Sequence, residues 1–424
     1  MRATGTWGLF SMAAFLLACG GNETVGTTTP GNGPDTSVPD AAAVDTGSED
    51  SGADTMAPDT LEEPPTPPLA LPPYLGGERP ARYYLPLDGD LSEPLPLVIL
   101  LHGFTSSAVG QDAYFGMSEA TRERGFVLII PDGRTNGGGA QFWSATDYCC
   151  NFYGAPDTDA DYILGLIEEA KSYLPIDPAR IALVGHSNGG FMSYRLACEA
   201  SDVISHVVSL AGASWAEPED CGLPAPVSVL QIHGAWDLTI RYGGKEKTAG
   251  NSGPVMDLAT CQDTHCSGQY ESCQLDASCT QLWACMNDCG WVPSGDACRQ
   301  ACYLQASEAA QQVWMEQFVC MTNAACFDNP MEPSPGYTSA DETVARWVER
   351  NVCNSTMTEP ANLDLESTIP GAETTRKTWE DCAKGTRTEL WTIEKGGHVP
   401  RISGTFIPEI LNWIAEHPRS SSNP

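Results

Sequence analysis

The sequence predicts an α/β fold in which a mostly parallel sheet carries helices on both faces. Strand-like apolar runs alternate with helix-like segments through residues 76–245 and 337–418, an alternation typical of βαβ units. One of these runs turns directly into a helix through a glycine-bounded pentapeptide. A block with ten cysteines, residues 246–336, interrupts the pattern. This block predicts a disulfide-rich helical insertion.

The core elements follow from the spacing of apolar residues. Strands are predicted over residues 97–101, 126–130, 181–184, 207–210, 227–232 and 389–393. Helices are predicted over residues 161–174, 190–197 and 407–415. The sequence contains no glycine-rich nucleotide-binding motif between them, and we expect no cofactor.

Residues 1–18 predict an exported chain. Arg2 precedes an apolar run over residues 7–17, which is too short to span a membrane and is typical of a signal peptide. Leu16-Leu17-Ala18-Cys19 then matches the bacterial lipobox, so we expect the sulfur of Cys19 to be lipidated. The chain is therefore predicted to be a cell-envelope lipoprotein, at the outer membrane or cell surface, held to the membrane through this anchor only.

Residues 19–75 predict a tether. Residues 20–75 contain ten aspartates and glutamates and no lysine or arginine. A segment of this composition buries too little apolar surface to offset the entropy cost of ordering. We expect it to stay disordered and to hold the folded part away from a lipid surface.

Residues 181–197 predict a nucleophile elbow. An apolar strand runs into Gly185-His186-Ser187-Asn188-Gly189, and a helical segment follows at once. Strand, Gly-x-Ser-x-Gly and helix in this order place the serine on a turn so sharp that larger flanking residues would collide. We expect Ser187 to be a nucleophile at a helix N-terminus, where backbone N–H groups favour an oxyanion.

The partners of such a serine follow in the order of an α/β-hydrolase, which is serine, acid, histidine. Asp237 comes shortly after the strand at residues 227–232, at the strand end where catalytic groups collect in parallel sheets. His398 follows the strand at residues 389–393 in a glycine-containing loop. We expect His398 to exchange a proton with Ser187 and Asp237 to orient the imidazole. Glu394 is the alternative acid.

The first predicted strand ends in His102-Gly103-Phe104-Thr105. In an α/β-hydrolase the backbone N–H just after such a His-Gly pair supplies one oxyanion donor, and the residue after the nucleophile supplies the other. We therefore expect the N–H groups of Phe104 and Asn188 to form the oxyanion hole, with Thr105 as the alternative to Phe104. His102 is expected to order this loop by hydrogen bonding and to take no part in proton transfer. His186 and His233 each lie beside a motif and not in the histidine position of the triad, so they are likewise expected to be loop or supporting groups and not bases.

Taken together, these segments resemble the esterase family that groups extracellular polyhydroxybutyrate depolymerases with feruloyl and acetylxylan esterases. The resemblance rests on the motifs around His102, Gly185 to Met192, Trp143 with Cys149-Cys150, Ile232 to Asp237, Thr343 to Trp347 with Cys353, and Glu389 to His398. It implies ester hydrolysis on an α/β-hydrolase fold and a Cys353–Cys382 disulfide. The block between Gly244 and Tyr337 has no counterpart in the family pattern.

The cysteines predict an oxidising compartment. Of the 17 cysteines, sixteen remain once Cys19 is set aside, an even number as a disulfide framework requires. Cys198 and Cys221 flank the strand at residues 207–210 and are expected to pair. Cys149 and Cys150 form either a vicinal disulfide or two separate bridges.

Within the insertion, Cys285-x3-Cys289 and Cys298-x3-Cys302 each place two cysteines on one helix face. An antiparallel helical hairpin would pair Cys285 with Cys302 and Cys289 with Cys298. Zinc is the rival, because four thiolates can bind it, but exported thiols oxidise and we expect no metal. The insertion is either a wall of the substrate site or an appendage that binds a polymer or partner elsewhere.

The net charge of the chain disfavours some classes of binding partner. The formal net charge is −33, and without the tether and Arg2 it is −24, from 45 acids and 21 bases. Such acidity disfavours nucleic acid and anionic lipid. The sequence therefore predicts an exported serine esterase acting on a polymeric ester, either a hydroxybutyrate-type polyester or a feruloyl or acetyl polysaccharide ester. The alternatives are a peptidase of the same fold and a surface polymer-binding protein on an inactive scaffold.

Overall fold

The computed structural model describes residues 70–222, 225–249, 258–288, 296–324, 326, 333–354 and 361–420. The predicted signal peptide, Cys19 and the tether up to residue 69 lie outside the described residues, as does Cys289. In the part of the chain that is described, no helix is both long and apolar enough to cross a membrane.

Thirteen strands are defined in the described ranges. They are β1 (Arg82–Tyr84), β2 (Leu95–Leu101), β3 (Val127–Ile130), β4 (Arg134–Thr135), β5 (Gln141–Phe142), β6 (Ile176–His186), β7 (His206–Leu210), β8 (Ser228–Gly234), β9 (Thr248–Ala249), β10 (Pro333–Ser334), β11 (Ala361–Leu363), β12 (Thr374–Trp379) and β13 (Thr388–Ile393). Nine of them form one sheet in the order β1-β3-β2-β6-β7-β8-β13-β12-β11. The six central strands from β3 to β13 are parallel. The outer strands β1, β12 and β11 each pair antiparallel with the strand next to them on the inner side, and β1 and β11 are the sheet edges.

Eleven α-helices are defined in the same ranges. They are α1 (Ala108–Phe115), α2 (Met117–Glu123), α3 (Asp159–Tyr173), α4 (Asn188–Glu199), α5 (Leu258–His265), α6 (Ser267–Leu275), α7 (Ala277–Asp288), α8 (Asp296–Gln305), α9 (Glu308–Asn323), α10 (Ala340–Arg350) and α11 (Phe406–Glu416). Helices α3, α4 and α10 contribute to the core on one sheet face, and α1, α2 and α11 to the core on the other. The predicted α/β-hydrolase architecture, with helices on both faces, is confirmed.

Strand β2 shows why the central strands read as continuous apolar runs. Leu97, Ile99 and Leu101 join one core, whereas Val98 and Leu100 join the other. Side chains alternate between the two faces of a strand, and both faces here are covered by helices. Every position of such a strand therefore favours an apolar residue.

All six predicted strands are present, as β2, β3, β6, β7, β8 and β13, and the three predicted helices are α3, α4 and α11. The structure adds the antiparallel edge strands β1, β11 and β12. Their sequences, such as Thr374–Trp379 with its two adjacent cationic residues, carry neither a continuous apolar run nor a clean alternation. Most residues of β12 are only half-buried. An outer strand of this kind does not need an apolar residue at every position, so the apolar pattern that would predict it is weak.

The insertion includes β9 near its start and β10 near its end, with α5 to α9 between them. Its two ends meet at Lys245 and Tyr337, whose backbones exchange hydrogen bonds of 2.9 and 2.8 Å. Disulfides within it are Cys261–Cys326, Cys266–Cys320, Cys273–Cys279 and Cys285–Cys302. A separate small core around Trp314 lies among these helices. So small a core needs covalent support, which the disulfides supply.

Candidate active site

Ser187 lies between β6 and α4 in the strained backbone of a nucleophile elbow. Its φ is 52° and its ψ is −118°, a left-handed conformation that a non-glycine residue adopts only when its surroundings hold it there. A Cβ on Gly185 would lie 2.2 Å from the carbonyl of Gly189, and one on Gly189 would lie 2.2 Å from the carbonyl oxygen of Leu101. Both flanking positions therefore require glycine.

Three residues from separate strand ends meet in one hydrogen-bonded chain. His398, on the loop after β13, places its Nε2 2.9 Å from the Oγ of Ser187. Its Nδ1 lies 2.7 Å from Oδ2 of Asp237, on the loop after β8. The carboxyl ends of parallel strands meet at one sheet edge, and this edge brings together the three residues that the sequence predicts as nucleophile, base and orienting acid.

The Asp237 carboxylate is buried and fully engaged. Its Oδ1 accepts hydrogen bonds from the N–H groups of Thr239 at 2.8 Å and Ile240 at 2.9 Å. Burial acts to raise the pKa of the Asp237 carboxyl, but the His398 charge and hydrogen bonds from His233 and His398 outweigh it and leave that pKa below the ordinary value. Asp237 is thus held ionised beside His398.

A second imidazole, that of His233, also faces this carboxylate. The Nε2 of His233 lies 3.3 Å from Oδ2 of Asp237 and 2.7 Å from the carbonyl oxygen of Ile240. Its Nδ1 faces the amide nitrogen of Gln231 at 2.9 Å, so Nδ1 accepts and Nε2 carries the proton. The only sequence signal is the position of His233 four residues before Asp237.

Two other histidines near the elbow, His186 and His102, contact backbone groups of the neighbouring loops. His186 lies 3.0 Å, at Nε2, from the carbonyl oxygen of His398, and burial lowers its pKa to about 4. In His102, Nδ1–H donates to the carbonyl of Gly103 at 2.8 Å and Nε2 accepts from the N–H of Gly133 at 2.8 Å. Burial also lowers the pKa of His102. Both rings are positioned as neutral hydrogen-bonding groups.

The predicted oxyanion donors differ in whether their N–H groups already have an acceptor. The N–H of Asn188 is the first of α4 and has no intrahelical acceptor. The N–H of Thr105 donates to the carbonyl of Gln141 at 2.9 Å, whereas no backbone acceptor contacts the N–H of Phe104 within the described ranges. This arrangement favours Phe104 over Thr105 as the second donor.

The side chain of Asn188 has a further role that the sequence does not reveal. Its Oδ1 accepts from the N–H of Trp143 at 2.7 Å, and its Nδ2 donates to the Trp143 carbonyl at 2.9 Å. The same Nδ2 lies 3.5 Å from Sγ of Cys149, which forms a buried vicinal disulfide with Cys150. Asn188 thereby fixes the neighbouring loop against the start of α4.

The structure favours the predicted acid, Asp237, over the alternative, Glu394. Glu394 directly follows β13 and its side chain is exposed, whereas Nδ1 of His398 lies 2.7 Å from Oδ2 of Asp237.

The structure forms the Cys198–Cys221 and Cys353–Cys382 disulfides of the catalytic domain. Cys285 pairs with Cys302 in the insertion. Cys298 is also disulfide-bonded, and the expected bond to Cys289 stays a prediction because Cys289 is not described. In the described ranges, no group of three or more histidine, cysteine or acidic residues could hold a metal ion.

Several curated proteins resemble part of this chain. NocK of Nocardia uniformis subsp. tsuyamanensis, provisionally named as an esterase, is 30% identical over 36% of this chain and 43% of its own length. Feruloyl esterase B of Piromyces equi is 30% identical over 35% of this chain and 27% of its own. Poly(3-hydroxyalkanoate) depolymerase C of Paucimonas lemoignei is 27% identical over 28% of each. The alignments with these three relatives thus span less than half of each relative.

Among solved structures, the acetyl xylan esterase of Aspergillus awamori aligns with 79% of this chain and 93% of its own, at 11% identity and a TM-score of 0.42. A family model described as esterase matches residues 73–317, more than half of the chain. That match includes Ser187 and Asp237 and ends before His398. The chain therefore belongs to the esterase family and carries an esterase domain of α/β-hydrolase fold.

Proposed function

We propose that this protein is a serine esterase that hydrolyses carboxylic esters through an acyl-enzyme on Ser187. The observation that carries the proposal is the unbroken chain from Ser187 Oγ through His398 to Asp237, with contacts of 2.9 and 2.7 Å. A serine hydroxyl is a weak nucleophile unless an oriented base removes its proton. These two contacts support His398 as that base and Asp237 as the acid that orients it.

In the proposed reaction, His398 Nε2 takes the proton from Ser187 as Oγ attacks the ester carbonyl carbon. The tetrahedral oxyanion accepts hydrogen bonds from the N–H groups of Phe104 and Asn188. The intermediate collapses as His398 returns the proton to the departing alcohol, leaving an acyl-serine. Water activated by the same imidazole then releases the acid. Asp237 stabilises the imidazolium in both halves, and no step calls on a cofactor.

The substrate we propose is an ester of a polymer. The partial relatives named above include a feruloyl esterase and a poly(3-hydroxyalkanoate) depolymerase, which supports either a polysaccharide ester or a polyester. The acidic chain, with its formal net charge of −33, makes nucleic acid an unfavourable partner.

We also propose that the enzyme is exported and anchored by lipid at Cys19. The disulfides of the described residues fit an oxidising compartment. Acyl chains contribute about 0.8 kcal/mol per buried CH₂, so Cys19→Ser is expected to move the protein from the membrane fraction to the soluble fraction. A wild-type mature N-terminus that is unmodified and begins well beyond Cys19 would contradict the anchor.

Hydrolysis of p-nitrophenyl acetate tests the nucleophile. Ser187→Ala is expected to abolish turnover while circular dichroism stays unchanged, because no other group can form the acyl intermediate there. Ser172→Ala is the matched control, since Ser172 lies on the exposed side of α3. Activity of Ser187→Ala within a few fold of wild type would remove Ser187 from this role.

A further inference from the structure

A groove of about 570 Å³ separates the insertion from the loop that carries Asp237. One wall includes Trp236, which directly precedes Asp237, and the opposite wall comes from helices α5, α6 and α9 of the insertion. This volume falls within the range of about 300–1,000 Å³ typical of small-molecule sites. None of the residues that line the groove takes part in the esterase reaction proposed above.

The insertion wall contacts the segment that follows Asp237. Arg241, which is buried, donates from Nη1 to the carbonyl oxygen of Thr322 at 2.7 Å, in the last turn of α9. A cation at a helix C-terminus also interacts favourably with the helix dipole. The Cys266–Cys320 disulfide joins the start of α6 to α9. A hydrogen bond thus joins the insertion to the segment after Asp237, and a disulfide joins two of the helices that form the groove wall.

Trp236 connects this groove to the catalytic histidine loop. Its backbone N–H donates to the carbonyl of Gly396 at 2.9 Å, two residues before His398. The Nζ of Lys395 lies 5.8 Å from the centre of its ring. The side chain of Trp236 is half-buried and lines the groove. A ligand against Trp236 would therefore lie beside both loops that carry triad residues.

The lining side chains define the chemistry of a ligand. Hydrogen-bonding groups come from Trp236, His265, Gln269, Glu316 and Asn323, and no lysine or arginine lines the groove. Val319 and the Trp236 ring add apolar surface. Such a site suits a molecule with apolar faces and an edge of hydroxyls that both donate and accept.

From this lining we infer that the groove is a binding site for a neutral saccharide. A pyranose ring has the required apolar face for an aromatic ring, and its hydroxyls match the amides and the Glu316 carboxylate. A polyester segment offers only acceptors, so it can donate nothing to the carboxylate of Glu316 or to the amide oxygen of Gln269, both of which belong to exposed side chains. An anionic sugar would meet the Glu316 charge without a compensating cation in the lining.

The inference goes beyond the proposed esterase reaction and does not depend on it. Binding is therefore measured on the full chain carrying Ser187→Ala, by calorimetric titration with xylotetraose. We expect saturable binding that weakens about tenfold or more in Glu316→Ala, because a hydrogen bond to a charged group is lost. Trp236→Ala should weaken it similarly. Glu308→Ala, an exposed acid on the same helix that does not line the groove, is the matched control and should bind as tightly as its parent.

Hydrogen exchange on the same Ser187→Ala chain provides a readout that needs no groove variant. Xylotetraose should slow exchange in α6 and α9 but not in α3. The proposal is overturned if xylotetraose, cellotetraose and mannotetraose all fail to bind. It is equally overturned if both groove variants bind like the control, or if a hydroxybutyrate trimer binds as tightly as the sugars. None of these results would alter the hydrolysis expected of wild-type Ser187.

Discussion

At the residue scale, the contact between His398 and Asp237 favours Asp237 as the acid of the proposed reaction. Asp237→Asn replaces an ionised acceptor by an amide that cannot stabilise the imidazolium, and it also favours the wrong imidazole tautomer. We expect a loss in kcat on the order of 10⁴, as in the comparable serine protease change, measured with p-nitrophenyl acetate.

Glu394→Gln is the matched control for this change, because it neutralises an exposed acid four residues before His398. It should leave kcat within a few fold of wild type. If Glu394→Gln were the damaging variant and Asp237→Asn nearly silent, the assignment of the acid would be wrong.

How far single residues could be anticipated depends on whether their role is encoded locally. Ser187 lies in a pentapeptide whose glycines are required by steric contact, and Asp237 and His398 each follow a predicted strand in a known chain order. The sequence predicts a supporting role for His233, but its tautomer and its contact with Asp237 depend on side-chain geometry that involves Gln231. The hydrogen bonds between the Asn188 side chain and the Trp143 backbone likewise depend on geometry between segments that are distant in the sequence.

At the element scale, the central strands were predictable and the edges were not. A strand covered on both faces, such as β2, must be apolar at nearly every position. Strand β12 is covered less and carries Arg376 and Lys377, so its sequence does not distinguish it from a loop. The cysteine spacing anticipated the Cys285–Cys302 pair because residues i and i+4 share a helix face, whereas Cys261–Cys326 spans 65 residues and has no local signal.

Removing the insertion tests whether it shapes substrate choice. Lys245 and Tyr337 already pair as neighbours, so a short Gly/Ser turn can replace residues 246–336 without separating the ends. We expect hydrolysis of small acetate esters to survive within a few fold, because all three triad residues are retained. The relative kcat/KM for feruloyl, acetyl-sugar and hydroxybutyrate esters should shift.

Arg241→Met in the full chain is the control for this deletion, because it removes the contact to Thr322 while keeping the insertion. A deletion variant with unchanged kcat/KM for every soluble ester, and only weaker attachment to an insoluble polymer, would contradict a role as a wall of the site.

At the scale of the whole molecule, buried neutral histidines make stability depend on pH. Burial lowers the pKa of His186 to about 4 and that of His206 to about 3, whereas unfolded histidine titrates near 6.5. The unfolded chain therefore binds more protons than the folded one below about pH 6.5. Stability should be full above that pH and should fall toward pH 4, by at most about 1.4 kcal/mol per pH unit for each histidine.

Thermal unfolding followed by circular dichroism between pH 4 and 8 checks this expectation. In His206→Gln one of the two groups no longer titrates, so the fall in Tm between pH 6.5 and 4 should be shallower. An identical slope in the variant and the wild type would show that other groups control acid stability.

The central claim is that Ser187 is the nucleophile of this esterase, and active-site labelling tests it most directly. Intact-mass and peptide mass spectrometry of the full chain treated with a fluorophosphonate should show one adduct, located on Ser187. The adduct should be absent in Ser187→Ala. In His398→Ala the rate of labelling should fall strongly, because the imidazole activates the hydroxyl. A wild-type chain that stays unlabelled, or an adduct on any other residue, would contradict the account.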